Sequence, residues 1–195
     1  MNFFQDTDWR PLVLVPLLAL LAWPWVGSSS TWLTLTVAGL AMGMIIFLMA
    51  SGLTLVFGLM DVLNFGHGLF IALGAFVATS VLGSLADWTA TGSWWLNLAA
   101  VLPAMLAGMA VAAAAGLAFE RWIVRPVYGQ HLKQILITMG GMIIGEELIK
   151  VVWGPLQIAL PLPEAMRGSV FWGDAAIEKY RVLAVVVGLA VFVLQ

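Results

Sequence analysis

Asp61, Asn64 and His67 stand inside a glycine-studded apolar run, GLTLVFGLMDVLNFGHG, between Gly52 and Gly68. Together they supply a carboxylate acceptor, an amide and an imidazole with one donor and one acceptor nitrogen when neutral. In a chain otherwise built for lipid such groups are costly, so they face a pathway or a partner rather than acyl chains. Glycine weakens helices, and Gly58, Gly66 and Gly68 favour a broken helix or tight re-entrant turn here. The freed backbone groups are tolerated at membrane depth only where protein or a water-filled cavity satisfies them. One reading is therefore a piece of pathway or a gate. The other is a short cytoplasmic turn whose polar groups cap helix ends, Asn64 capping the next helix. Spacing alone leaves both open.

The remaining ionisable groups are few. Glu146 and Glu147 precede Lys150. A Glu146–Lys150 pair at four-residue spacing stabilises a helix, and Lys150 can snorkel to the interface. A proton or ion role is the competing reading. His131 lies beside a basic link and reads as a surface histidine. The chain has no cysteine and only two histidines, too sparse a set for a metal cluster. No phosphate-binding G-x-x-x-x-G-K-[ST] loop, H-E-x-x-H or G-x-S-x-G motif occurs, so no enzyme class announces itself.

The elements that must position these groups are membrane helices. The chain is 63% hydrophobic and 9% charged, with a mean hydropathy of +1.05, whereas a soluble domain carries roughly a quarter charged residues. Net charge near zero offers no field for nucleic acid. A span needs about 20 apolar residues, which predicts spans at 11–27, 32–59, 68–86, 96–119 and 134–153. A sixth begins at Val182 and reaches Gln195, short of a crossing, so the chain is expected to continue or to be a fragment, truncated in its sixth span. The first segment carries Asp6 and Asp8 before it, where a cleaved signal wants positive charge, so a retained helix is expected.

Trp9, Trp23, Trp25, Trp32, Trp88, Trp94, Trp95, Trp122 and Trp153 fall near predicted span ends, where indole rings prefer the headgroup zone. Trp172 lies in a loop and needs another explanation, such as a loop packed back on the bilayer. Arg121, Arg125 and Lys133 place the 120–133 link in the cytoplasm by the positive-inside tendency, and the amino terminus with it. The 83–95 loop, with no lysine or arginine, is then outside, as is 154–180 despite Arg167 and Lys179. Gly39 and Gly43, Gly141 and Gly145, and Gly108, Ala112 and Gly116 make small-residue stripes suited to close helix packing.

The stretch Ser51 to Ala78 resembles the signature of bacterial branched-chain amino acid ABC transporter permeases of the LivH type. The family's G-L-x-L-x-F-G-x-x-x-x-x-N-F-x-H-G run is matched by Gly52, Leu53, Leu55, Phe57, Gly58, Asn64, Phe65, His67 and Gly68. FERWIVRPVYG, from Phe119, is similar to the family's cytoplasmic link through Glu120, Arg121, Arg125 and Pro126. Ile135 to Pro155 is similar to the helix that follows, with Glu146 and Glu147 where members often have an uncharged pair. The three blocks stand in family order over most of Leu35 to Pro155. Urea and amide permeases share the resemblance.

The resemblance implies an all-α, polytopic transmembrane bundle, one permease domain over 1–195, in the bacterial inner membrane. It implies a non-enzymatic import subunit working by alternating access, with no cofactor of its own. The expected partners are a second, LivM-like permease subunit, two ATP-binding subunits that hydrolyse ATP, and a periplasmic or lipid-anchored binding protein. The coupling loop to the ATPases is expected beyond Gln195. On this reading Asp61, Asn64, Phe65, Gly66, His67 and Gly68 form the pathway segment, with Gly66 and Gly68 providing the bend. A proton-linked carrier titrating Asp61, His67 and Glu146, or a purely structural subunit, are the rival classes.

Overall fold

A computed structural model of the chain describes residues 10–156 and 158–194. Trp9 and Gln195, which bear on the first and last expected spans, lie outside the described residues. The apolar runs, with Pro16 and Pro24 inside the first and Pro103 inside a later one, become helices close to the expected bounds. These are α1 (Arg10–Val26), α2 (Ser29–Met60), α3 (His67–Ser84), the single turn α4 (Ala86–Thr89), α5 (Trp94–Phe119), α6 (His131–Trp153) and α7 (Lys179–Leu194). Between α5 and α6 the chain continues as a π-helical turn over Glu120–Val124 and a 3₁₀ turn over Arg125–Val127. Gly154, at φ +88, stops α6 in a left-handed conformation that glycine adopts without steric cost.

By length and composition three of the described helices can cross a membrane: Ser29–Leu59, His67–Ser84 and Trp94–Val127. The others fall short for separate reasons. α1 has 17 residues and α7 has 16, each about 25 Å at 1.5 Å per residue. α6 is long enough, but Glu146, Glu147 and Lys150 charge its last third.

The described chain divides into two compact units, one reaching to Phe47 and resuming at Gly168, the other running from Leu48 to Arg167. In the first, the Trp23 and Trp32 rings lie 5.0 Å apart and the Trp32 indole N–H donates to the Ala19 carbonyl at 2.6 Å. Phe47 meets Phe192 edge-on at 5.5 Å. A Cβ on Gly188 of α7 would stand 2.5 Å from Met44 Cβ, so these helices pack at glycine distance.

The loop assigned to Trp172 is partly a β-hairpin, an addition to the expected all-α fold. β1 (Ser169–Trp172) pairs antiparallel with β2 (Ala175–Glu178), Val170 opposite Ile177 and Trp172 opposite Ala175. Gly173, at φ +61, leads the two-residue turn, as tight hairpins require. Ala175 and Ile177 are buried, whereas Phe171 and Trp172 are exposed.

In the second unit α3 and α5 lie antiparallel. Phe70 meets Phe119, Gly74 meets Gly108, and Leu82 packs with Ala100 and Ala104. α6 runs alongside α3 in the same direction. Gly145 faces Leu69, and the Trp153 indole N–H donates to Ser80 Oγ at 2.7 Å. Among the small-residue stripes Gly108, Gly141 and Gly145 sit at such approaches, whereas Gly39, Gly43 and Gly116 have open space where a Cβ would go.

Candidate functional site

α2 breaks where the sequence places its polar residues. The Asp61 N–H still donates to the Phe57 carbonyl at 2.9 Å, but Asp61 itself turns left-handed, at φ +52. Aspartate tolerates that conformation better than most residues, although it remains strained. Asn64 Oδ1 then accepts the Gly66 N–H at 2.9 Å, an Asx turn, and its carbonyl accepts the His67 N–H at 3.3 Å. Asn64 thus builds the turn into α3 without being its N-cap, which is Gly66.

Gly66 stands in the turn ahead of α3, yet neither it nor Gly68 uses the positive φ that glycine allows. Gly66 has φ −75 and Gly68 lies in α3. The left-handed residue that ends α2 is Asp61, whose short side chain tolerates φ > 0. Gly66 is needed for room instead: a Cβ would stand 3.1 Å from Asn64 Oδ1 and 3.4 Å from the Phe119 ring. Gly68 has nothing within 4 Å of such a position. Phe65 is half-exposed, and Asp61 is well exposed with its carboxylate 3.8 Å from His131 Nε2.

The broken segment is held from α6. Thr138, fully buried, donates its hydroxyl within α6 to the Gln134 carbonyl at 2.7 Å and accepts the Phe65 N–H at 3.3 Å. Val62 plugs the segment into a small core with Phe119 and Val124. Gln134, one helical turn before Thr138, is 1% exposed, and neither the nitrogen nor the oxygen of its amide has a hydrogen-bond partner among the described residues. Such a group costs about 1–3 kcal/mol. Opposite results are therefore expected from neighbouring substitutions. Gln134→Leu should raise the thermal unfolding midpoint of the detergent-solubilised permease, and Thr138→Val should lower it, each by about 1 kcal/mol in stability. A fall in both would mean that the Gln134 amide is satisfied in the folded protein.

His67 opens α3 and places its imidazole against α2, where a Cβ on Gly52 would lie 3.0 Å from Nε2. From there it lines a groove of about 370 Å³ between α3 and α5, with Ile71, Gly74, Met105, Met109 and Ala112 among its walls. Gly74 and Gly108 set its floor, their backbones so close that a Cβ on Gly108 would stand 2.6 Å from the Gly74 carbonyl oxygen. A second groove, about 520 Å³, lies between α3, α5 and α6 and has an apolar lining that includes Trp122 and Trp153.

Of the link residues, Glu120 accepts the Tyr128 hydroxyl at 2.6 Å. That hydrogen bond to the carboxylate, with some burial, raises the Tyr128 pKa above the ordinary phenol value. Arg121, Arg125 and Pro126 are exposed. Lys150 pairs with Glu147 at 2.6 Å rather than with Glu146. Both positions are within reach on a helix, and the three-residue partner takes the ammonium.

Asn97, like Thr138, has no distinctive motif in the sequence. Asn97, in the first turn of α5, is wholly buried and donates through Nδ2 to the Thr91 carbonyl at 2.7 Å and the Ser93 carbonyl at 2.8 Å. Its Oδ1 accepts the Ala165 N–H at 3.2 Å. The only signal was an amide inside an otherwise apolar run.

Residues 35–194 match the family model described as branched-chain amino acid transport system / permease component. The chain is 30% identical over 124 residues to the high-affinity branched-chain amino acid transport system permease protein LivH of Salmonella typhimurium. It is 29% identical over 124 residues to the protein of the same name from Escherichia coli K12. Each alignment covers 63% of this chain and 39% of the relative, so the chain matches well under half of those proteins. No solved structure matches it.

Proposed function

Because this chain belongs to the family of branched-chain amino acid transport permeases, we propose that it serves as a pore-forming subunit of an ATP-driven importer for those amino acids. The observation that carries this reading is the continuous family match over 35–194, which takes in the broken segment, the link and α6. Passage is by alternating access in a bacterial inner membrane. ATP hydrolysis belongs to two separate subunits, selectivity largely to a periplasmic or lipid-anchored binding protein, and half of the pore to a second permease subunit. The link with Glu120, Arg121, Arg125 and Pro126 faces the cytoplasm.

In this scheme Asp61 to Gly68 is where the pathway meets the end of a helix. Backbone groups released by a break are tolerated only beside protein or water, and Asn64 and Thr138 answer part of that demand.

Uptake of labelled leucine and labelled urea by source cells, with and without the intact gene, tests the reading. Loss of leucine uptake alone is expected. Loss of urea uptake alone would keep the import scheme and move the substrate to urea or amides. Collapse of uptake on adding an uncoupler while ATP is maintained would replace the scheme by a proton-linked carrier. Gly68→Leu adds a second test. The open space at Gly68 lets the variant insert and fold, so loss of its uptake reads the pathway, and normal uptake removes Gly68 from it.

A further inference from the structure

We propose that the α3–α5 groove at His67 is the resting place of the transported amino acid within this subunit. The apolar walls would take its aliphatic side chain, and the imidazole would bond the backbone end. The inference rests on the import reading above and assigns it a location.

Four observations converge on the groove. Its volume, about 370 Å³, lies within the range of about 300–1,000 Å³ usual for small-molecule sites. Its lining is apolar except at His67, and one or two placed polar groups in an apolar cleft are what orient a small ligand. A neutral imidazole offers one donor and one acceptor, matching a carboxylate or an ammonium. The groove also sits near the middle of both helices, because Gly74 is close to half-way along α3 and Gly108 close to half-way along α5. Substrate sites in transporters gather at that depth.

The walls also define the substrate class. Where glycine backbones form the floor, no side chain fills the space above them. Met105 and Met109 are unbranched and adaptable, so valine, leucine and isoleucine can each be accommodated. No charged side chain lines the groove, so a lysine or glutamate side chain would enter unpaired, at a steep desolvation cost. The polar side-chain groups lining the 520 Å³ groove are the indoles of Trp122 and Trp153, and the Trp153 N–H is already given to Ser80 Oγ; indoles donate only, so its lining side chains offer an ammonium no acceptor.

The chain has no cysteine, which makes a thiol reporter clean. Met109→Cys would be introduced into the full permease assembly, with partner subunits made cysteine-free, and labelled with a membrane-permeant maleimide. Leucine at millimolar concentration is expected to slow labelling at least threefold, while lysine and glutamate leave it unchanged. His67→Ala in the same background should remove the protection, and His67→Gln, which keeps a donor and an acceptor, should restore part of it. Leu136→Cys, on exposed α6 surface, should label at one rate throughout.

Leucine uptake is measured on the same assemblies, and Met105→Cys replaces Met109→Cys if the latter is inactive. Active uptake with no protection overturns the site and leaves the import reading standing. A thiol that never labels in the active assembly, because a lipid chain or partner helix covers the groove, also overturns it. Absence of leucine uptake in the unsubstituted assembly would instead sink the import reading itself.

Discussion

Replacing Asn97 with leucine is expected to destabilise the 48–167 unit by about 3 kcal/mol, as two or more buried bonds are lost at about 1–3 kcal/mol each. Asn97 ties three stretches together. Its amide N–H groups hold the turn at Thr91 and Ser93 that leads into α5, and its oxygen holds Ala165 in the 3₁₀ turn Glu164–Met166. Leucine has a similar size, so little of the loss comes from a cavity. It comes from carbonyls that must find other donors. The expected result is a markedly lower unfolding midpoint in detergent and faster proteolysis within the 158–167 stretch. Asn97→Asp separates the two halves of the effect, because it keeps an acceptor for Ala165 but sets a carboxylate against the Thr91 and Ser93 carbonyls. It should be at least as harmful as leucine. A stable Asn97→Asp variant would show that the donor side of the hub contributes nothing.

Asn97 also shows where sequence reading stops. Helix bounds were legible because they depend on local features. α6 was expected over 134–153 and forms over His131–Trp153, and α3 was expected over 68–86 and forms over His67–Ser84. Apolar length and a terminating glycine decide such bounds within the segment itself. The partner of Asn97 is 68 residues away along the chain, and no local pattern identifies it. The hairpin was missed for a related reason. Its strands have four residues each, too few for alternation to stand out after a proline-rich lead.

The helix break between α2 and α3 falls where the polar residues and glycines cluster in the sequence. Glycines cluster around it and suggest freedom of φ, yet the left-handed residue is Asp61, and Gly66 leaves room for the Asn64 side chain and the Phe119 ring. Glycine marks both freedom of φ and closeness of approach, and composition cannot separate the two. The same ambiguity holds for Lys150, because three- and four-residue spacings are both neighbours on a helix and the ammonium goes to Glu147, not to the expected Glu146. The His67 groove needed the pairing of α3 with α5, a contact between segments that no motif spells out.

Gly108→Leu should be the most damaging single change at the α3–α5 seam, and its reason is steric. Even a methyl group at Gly108 would stand 2.6 Å from the Gly74 carbonyl oxygen and 3.3 Å from Ala78 Cβ. The nearest obstacle is backbone, which cannot rotate aside as a side chain can, so α3 and α5 must separate. Overpacking a tight site costs about 1–3 kcal/mol and occasionally more, and leucine adds three carbons beyond that methyl. Gly116 lies eight residues further along α5 with nothing within 4 Å of a Cβ. Gly116→Ala should therefore be neutral or gain up to about 1 kcal/mol from helix propensity. Gly108→Ala draws on the same propensity, so the difference between the two alanine variants isolates the clash. Thermal unfolding of both in detergent gives that difference directly. Equal stabilities would mean that the helices can part without loss, and the seam would then not be what holds the groove in shape.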